Sequence, residues 1–162
     1  MRIGLVSDTH NDHASIGRAL ARLRVEGVSH ILHAGDVTSA HALRLFEGFD
    51  VWVSRGNMDH DPGLAAVAQE LFGPGRYRKV HKVTLGTTTI ALIHEREAVQ
   101  ARQLLHTKET EILVVGHTHD REDEWVETTR IINPGALGNT RWQRPSFAIL
   151  DLATGDITWV EL

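Results

Sequence analysis

Gly4-Leu5-Val6-Ser7-Asp8-Thr9-His10 is a short apolar run that breaks off into two side chains able to bind a metal, Asp8 and His10. Four more apolar runs end in the same way. Residues 31–33 lead into Gly35-Asp36, residues 51–54 into Gly56-Asn57, residues 90–93 into His94, and residues 113–115 into Gly116-His117-Thr118-His119. Strand-like runs at 3–7, 30–33 and 51–54 alternate with helix-like stretches at 14–25 and 40–46, the βαβαβ order of a parallel sheet. In open α/β sheets ligands bind outside the carboxyl ends of the strands, so residues far apart in sequence converge on one crevice there. Glycines 35, 56 and 116, lacking a β-carbon, allow tight turns and close backbone approach just before a ligand.

Outward from these runs the pattern stays regular. Asn11 or Asp12 can cap the first helix, Ile16, Leu20 and Leu23 recur at helical spacing, and Gly27 ends it. Residues 55–76 are punctuated by Pro62, Gly63, Gly73, Pro74 and Gly75 and are expected to be mostly loop, with a short helix at 64–71. Residues 80–85 and 87–93 flank Gly86 as a hairpin, followed by a helix over 97–106. Residues 112–115 form a short apolar strand of the kind buried on both faces. Later strands are predicted at 125–128, 130–132, 147–151 and 157–160, with mainly antiparallel pairing.

The 162 residues, 41% of them hydrophobic, suit one domain spanning 1–162. No apolar run approaches the roughly 18 residues needed to cross a bilayer, and no secretory signal precedes the first strand, so no membrane span and a cytoplasmic location are expected. Without cysteine any metal site must use nitrogen and oxygen donors. A net charge of -4 argues against broad electrostatic capture of nucleic acid, although a local basic patch stays open. Histidine stands out with 11 copies. A random order of this composition gives roughly one H-x-H pair, so His117 and His119 carry weight only with the other four strand ends. A site for two cations needs a bridging carboxylate to screen ions about 3.5 to 4 Å apart, and Asp36 is the candidate.

In its order D-x-H, G-D, G-N, H and G-H-x-H the chain resembles the calcineurin-like metallophosphoesterase superfamily over nearly its whole length. Within it the chain is most similar to small bacterial and archaeal phosphodiesterases, with Met58 where a histidine is common and with the turn Asn133-Pro134-Gly135. The resemblance implies an α/β fold, a four-layer αββα sandwich of two mixed sheets flanked by helices. It implies two divalent cations, one on Asp8, His10, Asp36 and His119 and one on Asp36, Asn57, His94 and His117, with Asp36 and Asn57 also acting in catalysis. The implied reaction is hydrolysis of a small phosphoester, foremost a phosphodiester, by water activated between the metals. The donor set suits Mn²⁺, Fe²⁺, Co²⁺, Ni²⁺ or Zn²⁺, with manganese favoured.

Met58 removes a proton donor for the leaving alkoxide. His60 is the substitute, against the plainer alternative of a loop residue in solvent. Glu95-Arg96 follows His94 where relatives have glycine and often histidine. The pair could close the pocket, add a carboxylate to the metals, bring a guanidinium to the phosphate, or form an ordinary ion pair with Glu95 in a first helical turn. Asp59 and Asp120 could orient ligands or lie in solvent. His33 is expected to pack or hydrogen-bond beneath the site, and His13, His30, His41, His81 and His106 to serve surface or local structure. Arg141, Trp142 and Arg144 are candidates for a substrate or partner surface. Two other functions stay open: a scaffold or binding protein on the same fold, favoured by Met58 and Glu95, and a nuclease, which would need a long basic cleft. A homo-oligomer stays open too.

Overall fold

The computed structural model describes residues 1–138 and 143–162. Its elements run β1 (Arg2–Val6), α1 (His13–Val25), β2 (His30–His33), α2 (Ala40–Arg44), β3 (Asp50–Ser54), α3 (Leu64–Phe72), β4 (Tyr77–Arg78), β5 (Val80–Leu85), β6 (Thr88–Ile93), α4 (Val99–Thr107), β7 (Ile112–Val114), β8 (Arg121–Val126), β9 (Thr129–Pro134), β10 (Ser146–Asp151) and β11 (Ile157–Glu161). They build a six-stranded sheet ordered β11-β10-β1-β2-β3-β4 and a five-stranded sheet ordered β5-β6-β7-β9-β8. Both are mixed. In the first, β1, β2, β3 and β4 are parallel, while β10 runs antiparallel to β1 and β11. In the second, β6, β7 and β9 are parallel and β5 and β8 are antiparallel edges.

Three apolar clusters define the layers. Ile16, Leu20 and Leu23 of α1 pack with Leu43, Leu64 and Val67 on Val6, Ile31, Val51 and Val53 of the first sheet. Ile3, Leu5 and Leu32 on the other face of that sheet meet Ile90, Leu92 and Val114 of the second. Ala91, Ile93, Leu113 and Ile131 then face Ala101 of α4. The order is therefore helix, sheet, sheet, helix, as expected. Strands covered on both faces read as continuous apolar runs, which is why their ends were visible in the sequence. Each buried leucine or isoleucine contributes roughly 1.5–3 kcal/mol. Leu23→Ala would open a cavity beneath Gly4, where a Cβ would lie only 3.1 Å from the leucine, at a cost of about 2–5 kcal/mol.

Local chemistry sets the helix ends. Asp12, not Asn11, caps α1: its carboxylate accepts the Ser15 backbone N–H at 3.0 Å, and Gly27 closes the helix with φ +71°. α2 ends at Arg44 rather than at residue 46. The next backbone N–H groups, of Leu45, Phe46 and Glu47, donate three residues back, which tightens the turn and sends Phe46 into the core. α4 begins at Val99, so neither Glu95 nor Glu97 lies in its first turn. β8 starts at Arg121, four residues before the predicted strand, because an exposed edge strand tolerates the charged run Arg121-Glu122-Asp123-Glu124. Among the described residues no helix is long and apolar enough to cross a membrane.

Candidate metal centre

The five loops after β1, β2, β3, β6 and β7 meet at the carboxyl ends of the parallel strands, and all seven predicted ligands lie on them. These loops are strained. Of nine non-glycine residues with positive φ among the described residues, seven are here: Asp8, His10, Asn11, Asp36, Thr38, His117 and His119. Left-handed backbone costs an ordinary residue about 1–2 kcal/mol, and such strain persists only where surrounding structure enforces it. The glycines make two kinds of room. Gly35 takes φ +104°. Gly56 and Gly116 instead permit close approach: a Cβ at Gly56 would lie 2.0 Å from Asp36 Oδ1, and one at Gly116 would lie 2.0 Å from Ser7 Oγ.

Asp8 is fully buried and lopsided. Its Oδ2 accepts from Ser7 Oγ and from the His117 backbone N–H at 3.1 Å, whereas its Oδ1 has no hydrogen-bond partner. That bare oxygen lies 3.4 Å from His119 Nε2 and 3.8 Å from His10 Nε2. The two imidazoles face each other, with their Nε2 atoms 3.3 Å apart. Asp36 Oδ1 accepts the Met58 backbone N–H at 2.8 Å, which turns Oδ2 inward, 3.8 Å from His10 Nε2 and 3.5 Å from His94 Nε2. His94 Nδ1–H donates to the Ala34 carbonyl at 2.7 Å, so Nε2 is the free ring nitrogen, 2.9 Å from Asn57 Oδ1. His117 Nδ1 lies 3.0 Å from the same Asn57 oxygen.

Buried carboxylate oxygen and imidazole nitrogen thus point at shared space with too few protons between them. Two groups have ligand atoms within 4.8 Å of one another, Asp8 with His10 and His119, and Asp8 with Asp36 and His94. A divalent cation fits such sets, because it satisfies an orphaned buried carboxylate oxygen and the imidazole lone pairs together. The titration shifts follow the crowding. Burial disfavours the charged form of His94, but the Asp36 carboxylate and nearby Asp8 outweigh it and raise the pKa. The nearby Asp8 carboxylate raises that of His119. Burial pushes the Asp36 carboxyl up, and His94 and the Met58 N–H bring it below the ordinary range.

The supporting shell was less legible in the sequence. Asp59 is neither a solvated acid nor an imidazole holder: its buried carboxylate accepts backbone N–H groups of Asp36 at 3.2 Å, Gly56 at 2.8 Å and Thr38 at 2.7 Å, tying two ligand loops together. Asn133, also buried, donates to the Gly116 carbonyl and Thr118 Oγ1, both at 3.0 Å, and accepts from the Gly135 N–H at 3.0 Å. The backbone N–H of Gly138 then donates to the Asp8 carbonyl at 2.8 Å. The Asn133-Pro134-Gly135 turn thereby clamps the first and fifth loops. His33 lies beneath the site as expected. Its Nδ1 accepts from the Gly35 N–H at 3.2 Å, its Nε2–H donates to Thr9 Oγ1 at 3.2 Å, and burial lowers its pKa to about 4.

The remaining candidates sort by contact. His60 is exposed and lines a cavity of about 280 Å³ with Asn57 and Glu95. Arg96 forms no pair with Glu95 and is no free guanidinium, since it bridges to Glu122 and Glu124 on β8. Glu95 lines both that cavity and a second one of about 410 Å³ that begins at His117. Met58 and Asp120 are exposed, and Gln143 donates to the Asp120 carboxylate. His81 is buried and donates to the Val53 carbonyl at 2.8 Å, while His30 stacks on Trp52 and His13 lies against His41. His106 is exposed. Arg144 lines a separate cavity with Arg121 and Glu161, and Arg141 and Trp142 lie outside the described residues.

Residues 1–155 match the family model of the calcineurin-like phosphoesterase superfamily domain. The chain is 31% identical over 157 residues to a protein of Methanothermobacter thermautotrophicus named "Probable metallophosphoesterase", covering 93% of this chain and 85% of that one. It is 25% identical over 154 residues to a phosphodiesterase of Methanocaldococcus jannaschii, covering 93% of each. The solved structure of an archaeal phosphodiesterase has the same fold, with a TM-score of 0.92, 24% identity and full coverage of both chains. The chain therefore belongs to the calcineurin-like phosphoesterase superfamily and is a metal-dependent hydrolase of phosphoesters.

Proposed function

We propose that the chain is a cytoplasmic phosphodiesterase with a dinuclear centre. Asp8, His10, Asp36 and His119 hold one divalent cation and Asp36, Asn57, His94 and His117 the other, both manganese. One observation carries the preference for a diester: two cavities adjoin the ligand cluster. A cavity of about 280 Å³ shares Asn57 with it, and one of about 410 Å³ shares His117. A phosphate seated between them has space for two ester arms, whereas a monoester has only one. The M. jannaschii relative, itself a phosphodiesterase, supports the same choice.

When bound, the cations supply Lewis acidity to the phosphate oxygens and lower the pKa of a shared water. The protein's own groups do the rest. Asp36, fixed through Oδ1 by the Met58 N–H, directs Oδ2 to imidazoles of both sets and so bridges them. Asn57 offers its carbonyl oxygen between His94 and His117 at the open face. His60, lining the cavity beside Asn57, holds the proton for the leaving oxygen in place of a histidine at position 58.

Manganese-loaded protein is expected to hydrolyse bis(p-nitrophenyl) phosphate. Asp36→Asn, which keeps the shape and removes the bridging charge, should lower kcat by about two to three orders of magnitude or more with circular dichroism unchanged. Protein that binds no manganese by calorimetry and turns over no aryl phosphodiester would sink the proposal.

A further inference from the structure

The two cavities beside the ligand cluster differ in charge. The one that shares Asn57 is lined by Arg55, Lys79 and His60, with Glu95 as its one acid. Arg55 and Lys79 are exposed, and among the described residues neither side chain makes an ion pair or a hydrogen bond. Their backbones are nevertheless fixed: the Arg55 N–H donates to the Arg78 carbonyl at 2.8 Å, and Ser54 Oγ donates to the Lys79 carbonyl at 2.9 Å. Elsewhere Arg44 pairs with Glu70, Lys82 with Glu109 and Lys108 with Glu127. In the other cavity the charge reverses. The cavity that shares His117 is walled by Glu97, Asp120 and Glu122, and its two arginines are already paired, Arg96 with Glu122 of the same wall and with Glu124, and Arg121 with Glu161.

Resting on the phosphodiesterase activity proposed above, the geometry points to a specificity subsite: Arg55 and Lys79 bind an acidic group, a carboxylate or a second phosphate, carried on one ester arm of the substrate. A guanidinium fork takes such a group in a bidentate way, and an ammonium adds a compact second charge. Cations lining a cleft also attract an anion before contact. The other cavity repels the same group with Glu97 and Asp120, so the charge difference orients the diester as well as selecting it. Glu95, present in both walls, marks the boundary. The substrate class is therefore a small diester acidic on one side and neutral or cationic on the other.

Calorimetric titration of the metal-loaded protein with butyl phosphate, carboxypropyl phosphate and aminobutyl phosphate tests this, because the three share a phosphate for the centre and differ at the far end. Carboxypropyl phosphate should bind about tenfold more tightly than butyl phosphate, an advantage that shrinks as salt is added. The double variant Arg55→Ala/Lys79→Ala, whose two sites are exposed, should bring that ratio to one and leave the affinity for butyl phosphate as it was. Equal binding of the butyl and carboxypropyl compounds, a ratio that survives in the variant, or tightest binding of the aminobutyl compound overturns the subsite alone. Failure of butyl phosphate itself to bind refutes the phosphoester centre and takes the subsite with it.

Discussion

Asp59 directs a buried carboxylate wholly at backbone, accepting from the N–H groups of Asp36, Gly56 and Thr38. Burial raises its pKa while these donors pull the other way. Asp59→Ala leaves three donors in the interior without an acceptor, and each unsatisfied group costs about 1–3 kcal/mol. Urea unfolding should show a loss of roughly 3–5 kcal/mol, with weaker manganese binding because the loops carrying Asp36 and Asn57 lose their shared anchor. A loss under half a kilocalorie would mean that water replaces the carboxylate. His33 sets a pH dependence. Its pKa of about 4 lies below the ordinary 6.5, because burial excludes the imidazolium. Between these values the unfolded chain holds a proton that the folded chain does not, so stability rises with pH across that window. The contribution is complete above about pH 6.5 and is lost as pH falls toward 4, on the order of 3 kcal/mol in all. Subtracting the urea stability of His33→Gln from that of the natural protein at pH 7 and at pH 5 cancels the other titrating groups. A difference that does not shrink at the lower pH would show that His33 is not the source.

Strands β1, β2, β3, β6 and β7 were legible because burial on both faces writes them as apolar runs, and the candidate ligands were legible because they stop those runs. What was hidden depends on partners far along the chain. The first four residues of β8 look like a solvated loop until β9 supplies the hydrogen bonds. Asp59 and Asn133 carry polar side chains whose partners are backbone atoms of other loops, and no spacing rule encodes that. The pairing of Arg96 was hidden for the same reason: its neighbour Glu95 suggested a local pair, yet Glu122 and Glu124 on β8 hold it. Arg96 ties the loop after β6 to an edge strand, while His94 on that loop is anchored independently by the Ala34 carbonyl. Partly exposed ion pairs contribute at most about 1 kcal/mol. Arg96→Ala should therefore lower stability by less than about 1 kcal/mol and raise KM, through the loosened cavity wall, more than it lowers kcat. A kcat loss as large as that of Asp36→Asn would place Arg96 in the chemistry instead.

In the whole molecule the ligand cluster works against the fold when no cation is present. Asp8 is fully buried with Oδ1 lacking a partner, Asp36 lies nearby, and four imidazoles share the crevice. The two sheets and the helices packed on them hold these groups together through apolar contacts on remote residues, and a bound cation would relieve the crowding. Binding to the native state alone stabilises by about 2.7 kcal/mol at a hundredfold excess over Kd. For a chain of this size each kilocalorie moves Tm by about 2–4 °C, so manganese should raise Tm by roughly 5–10 °C over protein treated with a chelator. Protons compete for the same imidazole nitrogens, and His94 and His119 both bind them more readily than usual because of Asp36 and Asp8. The gain should accordingly fade as pH drops below neutrality, and Asp8→Asn should reduce it at every pH. Scanning calorimetry with manganese and with chelator at pH 7.5 and 5.5 measures both effects. Equal Tm values at the higher pH would mean that the crowded carboxylates are neutralised by protons alone, and that the five strand ends converge on something other than a metal centre.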